Sequence, residues 1–250
     1  MARGSVPVWL SIVAMARQEK APVGVRHAVL ACALACGAGA ALSVSSVCGL
    51  PEPLFATDAR SEEVDELQAT LGQGPCIEAL TGSAPVLAGD LADARVAARW
   101  PALAPAALAR GVAAIFAMPV SSGAARVGAL CLYRERAGSL SADELGALLL
   151  YADAVLMLAL DSRGGLTPGA AQLVGRGFTV RRAEVHQAAG MISVQLGISV
   201  TDALATLRAR AYAEARPISE IAADVVARRL SFTTAGPAPA HDGKPSGKDR

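Results

Sequence analysis

The stretch RGVAAIFAMPVSSGAARVGALCLYRE, residues 110–135, decides the fold class of this chain. It contains two apolar runs, 113–120 and 126–135, and the turn-forming residues Ser121, Ser122 and Gly123 stand between them. Two such runs joined by a short glycine-containing connection are typical of a β-hairpin. We therefore expect an antiparallel pair of strands at the centre of this part of the chain.

Strand and helix signals alternate on both sides of the hairpin. On its N-terminal side the patterns predict, in order, a helix over 25–36, a turn at 37–39, a buried strand over 41–45, a helix at 62–67, a turn at 71–76, a short strand within 84–91 that ends at Asp90, and a helix over 99–112. On its C-terminal side Ser141 and Glu144 form a capping box that begins a helix extending to residue 160. The expected fold class is α+β, an antiparallel sheet with helices packed on it.

Composition and charge limit the classes of function. The chain has 250 residues, of which 53% are hydrophobic, so general disorder is excluded. Residues 1–160 contain 11 basic and 14 acidic side chains, a balance of −3, whereas residues 161–250 contain 12 and 8, a balance of +4. An anionic partner is therefore expected at the C-terminal end.

Two apolar stretches raise the question of export or membrane insertion. Residues 6–16 are similar to a short signal peptide, but they contain Pro7 and follow only one basic residue. Residues 28–50 carry no charge, yet Gly, Ser and Ala make up much of this stretch. The five cysteines are odd in number and lack C-x-x-C spacing, so neither disulfides nor a metal site is indicated. We expect a cytoplasmic protein without a membrane span.

A set of ordered motifs resembles a known family of sensor domains. LQATLGQGPCIEAL, RWPAL, RGVAAIFAMPV, GALCLYR and GSLSADEL follow one another as in the GAF domains of bacterial sensory regulators, particularly actinobacterial ones. The resemblance covers residues 25–160, and it implies a PAS-related antiparallel sheet whose helices enclose a small-molecule pocket or form a dimer interface. The chain contains no asparagine and so lacks the Asn-Lys pair of the cyclic-nucleotide-binding pattern. The ligand and any cofactor stay unknown.

The stretch HQAAGMISVQLGISVTDALATLRARAYAEARPISEIAADVVARRL, residues 186–230, has apolar residues at helical spacing in three segments. Gly197 is expected to end the first helix, Ser199 or Thr201 to cap the second, and the third to begin near Pro217. The inward positions of the third helix are expected to extend to Leu230 and Phe232. A compact three-helix bundle is therefore expected, separate from the sheet domain.

This stretch resembles the ANTAR domain, a three-helix RNA-binding module of transcription antiterminators, over residues 179–232. The resemblance implies a dimer that binds paired RNA stem-loops in a leader transcript and prevents formation of the terminator hairpin. The remaining segments are an N-terminal segment at 1–24, a helical connector at 161–178 and a disordered tail at 233–250.

Arg208 and Tyr212 are the leading candidates for RNA contact, because i and i+4 share one helix face. Guanidinium groups contact phosphates and aromatic rings stack on unpaired bases. Further RNA-binding candidates are Ala188, Gly190 and Ala209, where small side chains permit close approach, and Arg228 and Arg229. Small residues also serve helix packing, and cations favour a final helical turn whatever the function. Arg181 and Arg182, expected just before the first helix, are alternative contacts.

Two other classes of function stay open. ISEIAADVV, residues 218–226, is similar to the first helix of a DNA-binding helix-turn-helix, which requires a recognition helix after it. An enzyme could use Cys76 as a nucleophile, but His27 is the only histidine in the sheet domain. We expect a regulator, not an enzyme.

We also expect a homodimer joined through the helix over 141–160 and the connector, since both carry large apolar side chains. In the connector and just after it these are Leu173, Val174, Phe178 and Val180.

Overall fold

The structure, a computed structural model, describes residues 5–45, 51–82, 84–123, 125–161 and 176–232. The helices are α1 (Ser5–Gln18), α2 (Val25–Cys36), α3 (Ala59–Leu71), α4 (Pro75–Gly82), α5 (Ala94–Arg99), α6 (Leu103–Ala109), α7 (Ala142–Asp161), α8 (Arg176–Leu196), α9 (Val200–Ala213) and α10 (Ile218–Val226). The strands are β1 (Gly39–Ser45), β2 (Pro51–Ala56), β3 (Val86–Ala88), β4 (Ala114–Ser122) and β5 (Ala125–Arg134).

The five strands form one sheet in the order β2-β1-β5-β4-β3, and all neighbouring pairs are antiparallel. The predicted hairpin is confirmed as β4 and β5, in which Phe116 lies opposite Leu132. The predicted α+β class is confirmed as well. β1 pairs with the other edge of β5, so the central strand β5 has a partner along both edges.

Helices cover both faces of the sheet, because successive strand side chains point to opposite sides. Phe116 and Met118 of β4 lie in a core with α1, α2 and α7, whereas Ile115 and Ala117 lie in a second core with α3, α4 and α6. Burial on both faces explains why β4 and β5 are continuous apolar runs and do not alternate with polar residues.

The N-terminal helix α1 belongs to the first of these cores. Val8, Ile12 and Ala16 recur at helical spacing and are buried against it. The Ser11 hydroxyl lies 2.9 Å from the Tyr151 hydroxyl of α7 and ties the two helices together. Residues 5–18 are thus part of the folded unit.

Several sequence predictions are confirmed. α2 occupies 25–36 as expected, and Gly37 ends it in a left-handed conformation. The Ser141–Glu144 capping box is confirmed, because each side chain hydrogen-bonds the backbone N–H of the other. The strand over 41–45 is confirmed and begins two residues earlier, at Gly39.

Other predictions were wrong. The helix expected over 99–112 is shorter than predicted: α5 ends at Arg99 and α6 covers only Leu103–Ala109, because Pro101 disfavours helical geometry at Trp100, where φ is −131° and ψ is 69°. The strand expected to end at Asp90 ends at Ala88. Edge strand β2 was not predicted, since Pro51 and Pro53 read as breakers in a sequence and are tolerated at a sheet edge.

The C-terminal helices α8, α9 and α10 pack around a core of their own, which includes Ile192, Leu207 and Ile221. Gly197 follows α8 with φ of 66°, and the Ser199 hydroxyl accepts the N–H of Asp202 at the start of α9, both as predicted. Two corrections apply here. The helix α10 ends at Val226, so Leu230 and Phe232 pack on the bundle core from beyond the helix. The first helix includes residues 181–182, which were expected to precede it.

Some expectations fall outside the described residues. These are most of the helical connector, including Leu173 and Val174, and the tail at 233–250. In the part of the chain that the structure describes, no helix on its own combines the length and apolar character needed to cross a bilayer.

Candidate functional site

One face of α9 carries the two residues for which the sequence predicts a joint RNA contact. Arg208 and Tyr212 lie one turn apart, and both line a crevice with a volume of about 480 Å³. Tyr212 is 62% exposed, whereas Arg208 is half-buried and its Nε atom has no hydrogen-bond partner. Burial lowers the pKa of Arg208 from its ordinary value, because the charged form loses solvation. An exposed aromatic ring therefore lies beside a partly desolvated guanidinium group.

Most other arginines of the bundle are engaged with carboxylates. Arg210 pairs with Glu214 one turn later at 2.5 Å, a spacing that favours ion pairs on a helix surface. Arg216 and Arg229 both bind Asp224, at 2.8 Å and 2.7 Å. Within residues 184–232, this leaves Arg208 without a carboxylate partner, and Arg228 is in the same state.

Arg228 lies in a second crevice, lined by α8 and by the segment after α10. It lines a volume of about 630 Å³ together with Gly190, Gln187 and Gln195. Arg228 adopts a left-handed conformation with φ of 58°, because the chain turns sharply after α10. The expectation that Arg228 and Arg229 occupy a final helical turn was therefore wrong.

The predicted small-residue surface is not continuous. Ala188 is completely buried among the three helices, so it is a helix-packing position and not a surface that RNA could contact. Ala209 is exposed and lines the same crevice as Arg208. Gly190 is half-buried in the Arg228 crevice. The predicted residues thus fall on two separate surfaces and one core position.

Two polar contacts between the bundle and the sheet domain are present among the described residues. The His186 imidazole of α8 lies 2.5 Å from the Glu52 carboxylate of β2, and the Ser219 N–H donates to Glu66 of α3 at 3.3 Å. A crevice of about 900 Å³ runs between α3 on one side and α9 and α10 on the other.

A buried polar network lies under the sheet, on the side covered by α3 and α4. The Ser43 and Tyr133 hydroxyls each donate to one oxygen of the Asp65 carboxylate, both at 2.7 Å. The Gln68 amide donates to the Tyr133 hydroxyl at 3.0 Å, and its oxygen accepts the N–H of Cys76 at 2.9 Å. The network connects β1, β5, α3 and α4.

The electrostatics of this network follow from its burial. Burial raises the pKa of Asp65 to about 6, although hydrogen bonds from Tyr133 and Ser43 oppose the rise. Burial also raises the pKa of the Tyr133 hydroxyl, and the neighbouring Asp65 carboxylate adds to this rise. Burial and a hydrogen bond with Cys76 raise the pKa of the Cys131 thiol. In all three groups burial therefore disfavours the charged form, and Asp65, with a pKa of about 6, stays largely ionised at neutral pH.

Cys76 and Cys131 come together with Asp65 in this network. One potential ligand atom from each residue lies within 4.8 Å of the others. The sequence analysis missed this group, since the residues are distant in sequence and lack a metal-binding spacing. Cys131 and Tyr133 are two positions apart in β5, so their side chains face the same side of the sheet. This spacing is the one local signal of the group in the sequence. His27 belongs to α2 on the opposite face, so Cys76 and His27 form no catalytic pair.

An apolar surface is present on α7. Leu149, Met157 and Leu160 are exposed there, and Leu34 of α2 is exposed as well. Exposed apolar side chains of this size on helices that cover one face of the sheet are typical of protein interfaces.

The match to a family model agrees with this architecture. The family model described as GAF domain matches residues 29–157, more than half of the chain. No curated protein matches the chain. Among solved structures, the chain is similar to the GAF domain of a phosphoenolpyruvate-protein phosphotransferase from Coxiella burnetii, with 12% identity, coverage of 64% of this chain and 96% of that one, and a TM-score of 0.48.

Two further solved structures are similar in the same way. The GAF domain of the Acinetobacter phosphoenolpyruvate-protein phosphotransferase has 11% identity, covers 63% of this chain and 94% of that one, and gives a TM-score of 0.46. A GAF domain/HD domain protein from Geobacter sulfurreducens has 14% identity, with coverage of 54% and 90% and a TM-score of 0.40. By the match over residues 29–157, the chain belongs to the GAF domain family.

Proposed function

We propose that the chain is a signal-responsive, RNA-binding regulator of transcription antitermination that acts in the cytoplasm and is not an enzyme. The GAF domain senses a small ligand or mediates dimerisation, and the C-terminal bundle, of ANTAR type, binds paired RNA stem-loops. One observation carries the RNA part of the proposal. The exposed Tyr212 ring lies one helical turn from Arg208, a guanidinium group without a carboxylate partner in the described part of the bundle.

This pair supplies the two contacts that an RNA loop requires. Loops and bulges present unstacked bases, which stack on aromatic rings, and their phosphates attract guanidinium groups. Arg210 lies nearby on the same helix, but its charge is already balanced by Glu214. Arg208 has no such competitor, so phosphate binding would not require an existing ion pair to break.

The location of this face suggests how a signal reaches it. The crevice that contains Arg208 and Tyr212 is bounded on its other side by Thr70 and Leu71 of α3 and by Ala102. A volume of about 480 Å³ holds a base but not a stem-loop. RNA binding to this face therefore requires the bundle and the GAF helices to separate, and a signal that loosens their contact would increase RNA affinity.

A DNA-binding helix-turn-helix is less well supported. That motif places a recognition helix after the helix that resembles α10. Between the end of α10 at Val226 and the last described residue, Phe232, the chain forms turns and no helix.

The test is a binding titration of the full chain with a labelled RNA of two adjacent stem-loops from the leader of its own operon. We expect Arg208→Ala and Tyr212→Ala each to weaken binding by about 1–3 kcal/mol, roughly 5- to 150-fold, the range for loss of a stacking contact. Arg210→Ala is the matched control, because it removes an arginine from the same helix that is already paired. Duplex DNA of the same sequence is the second arm.

The melting temperatures of the variants separate binding from folding. Because Tyr212 is exposed, Tyr212→Ala should cost under about 0.5 kcal/mol of stability. RNA affinity unchanged in folded Arg208→Ala and Tyr212→Ala would show that this face is not the binding surface, and Arg228→Ala then tests the second crevice. Equal or tighter binding of duplex DNA would favour the DNA-binding alternative.

The homodimer is tested through the exposed apolar residues of α7. Met157→Glu and Leu160→Glu should shift the sedimentation coefficient at tens of micromolar from that of a dimer to that of a monomer, because a buried charge opposes association. Val194→Glu, at an exposed apolar position of α8, is the control and should leave the dimer intact. A monomeric parent protein, with and without RNA, would contradict the proposal.

A further inference from the structure

Three metal-ligating side chains from three different elements meet under the sheet. Asp65 comes from α3, Cys76 from the first turn of α4, and Cys131 from β5. The candidate ligand atoms lie within 4.8 Å of one another, and each residue is almost completely buried. Residues separated by 11 and 55 positions in sequence are thus held together by the fold itself.

The Asp65 carboxylate lacks a cation. Within the described residues no lysine, arginine or histidine lies at ion-pair distance from it, and its hydrogen bonds come from neutral donors, the Ser43 and Tyr133 hydroxyls and the Cys76 thiol. A buried carboxylate is costly unless a positive charge or a metal ion compensates it. The thiols of Cys76 and Cys131 lie beside it.

We infer that Asp65, Cys76 and Cys131 bind a thiophilic divalent metal ion of the zinc class. Two thiolates and one carboxylate oxygen are ligands that Zn²⁺ accepts, whereas Mg²⁺ and Ca²⁺ require oxygen ligands. In a tetrahedral site with Zn–S bonds of about 2.3 Å, the ligand atoms are about 3.5–3.8 Å apart. The present spacing of up to 4.8 Å would therefore have to close by no more than about 1.3 Å, which side-chain rotation can supply.

The surrounding hydrogen bonds suit the orientation of such ligands. Ser43 and Tyr133 hold opposite oxygens of the carboxylate, and each oxygen keeps a further lone pair for a metal. Gln68 fixes both the Tyr133 hydroxyl and the N–H of Cys76. Outer partners of this kind fix ligand geometry in metal sites.

Binding is balanced in protons and charge. The ion displaces the protons of the two thiols, which pass to solvent, and no group is oxidised or reduced. A divalent ion with two thiolates and one carboxylate leaves a net charge of −1 on the site. A tetrahedral ion would take its fourth ligand from outside this set.

The experiment uses the full chain, reduced with a phosphine and treated with a chelator. Titration with Co²⁺ under anaerobic conditions should produce a thiolate-to-cobalt charge-transfer band that saturates at one ion per chain, and Zn²⁺ should abolish it. Cys76→Ser and Cys131→Ser should each remove the band. Cys32→Ser is the matched control, since Cys32 is equally buried but lies on the other face of the sheet. Tyr133→Phe should keep the band and weaken the affinity about 10- to 100-fold.

Several results would overturn the inference. These are absence of the band, a band that survives Cys76→Ser, or a band lost in Cys32→Ser. A Cys76–Cys131 disulfide that forms in air and leaves Zn²⁺ without effect on the reduced protein would assign the pair to redox chemistry instead. If the serine variants do not fold, hydrogen exchange of the parent decides: Zn²⁺ but not Mg²⁺ should slow exchange in α3 and α4, and equal exchange would refute the site.

Discussion

Helix α1 provides a sharp test of the N-terminal part of the fold through the change Ile12→Ala. Ile12 has no exposed surface and packs in the core between α1, α2 and α7. The change removes three carbon atoms, each worth about 0.8 kcal/mol of burial, and leaves a cavity in a close-packed region. The expected loss in the free energy of unfolding is about 3 kcal/mol, within the range measured for isoleucine-to-alanine changes in cores.

For a chain of this length, about 3 kcal/mol corresponds to a fall in melting temperature of roughly 6–12 °C. Thermal and urea unfolding followed by circular dichroism would measure it. Leu10→Ala is the matched control, because Leu10 lies on the same helix and is 66% exposed, so its replacement should cost under about 0.5 kcal/mol. Equal effects of the two changes would refute the packing of α1 on the core, and with it the assignment of residues 5–18 to the folded unit.

Three further predictions follow from local geometry. Asp58 caps α3. Burial alone would raise the pKa of Asp58, but its hydrogen bonds lower it below the ordinary 3.8. Asp58→Ala should therefore cost about 1 kcal/mol of stability at neutral pH, and urea titrations should show this difference between parent and variant vanish as the pH falls from near 3.8 through the lowered pKa. Tyr133→Phe leaves buried hydrogen-bonding partners unsatisfied and should cost about 1–3 kcal/mol by calorimetry. Gly128→Ala should strongly destabilise the sheet, because the new methyl would lie 2.3 Å from the Ser43 carbonyl oxygen. The control Gly146→Ala in α7 places its methyl in open space and should raise the melting temperature. Destabilisation by both changes would contradict the register of β1 and β5.

The elements that could be predicted from sequence are those with local signals. The hairpin of β4 and β5 has a turn signal between two apolar runs, and α7 begins at a capping box. β2 had no such signal, because prolines suggest a loop unless it is known that the strand lies at an edge. Pro101 indicates the break between α5 and α6, but the apolar spacing around it favours one continuous helix.

The candidate sites show the same division between local and tertiary information. The shared face of Arg208 and Tyr212 follows from helical periodicity alone. Whether Ala188 is a docking or a packing position depends on where α9 and α10 lie, which no local pattern specifies. The meeting of Asp65, Cys76 and Cys131 depends on the packing of α3 and α4 against β5, so it could not be read from spacing.

Helix α3 borders both the buried polar network and the crevice of Arg208 and Tyr212. Asp65 and Gln68 on its inner side hold the buried network, while Thr70 and Leu71, within two turns, border the crevice of Arg208 and Tyr212. A helix of 13 residues moves as a rigid unit, because its backbone hydrogen bonds resist bending and the close-packed core around it leaves no space for one part of the helix to shift alone. Any event that draws the inner side of α3 toward the sheet therefore tilts its outer end as well. The crevice would widen or narrow without a ligand ever touching the bundle.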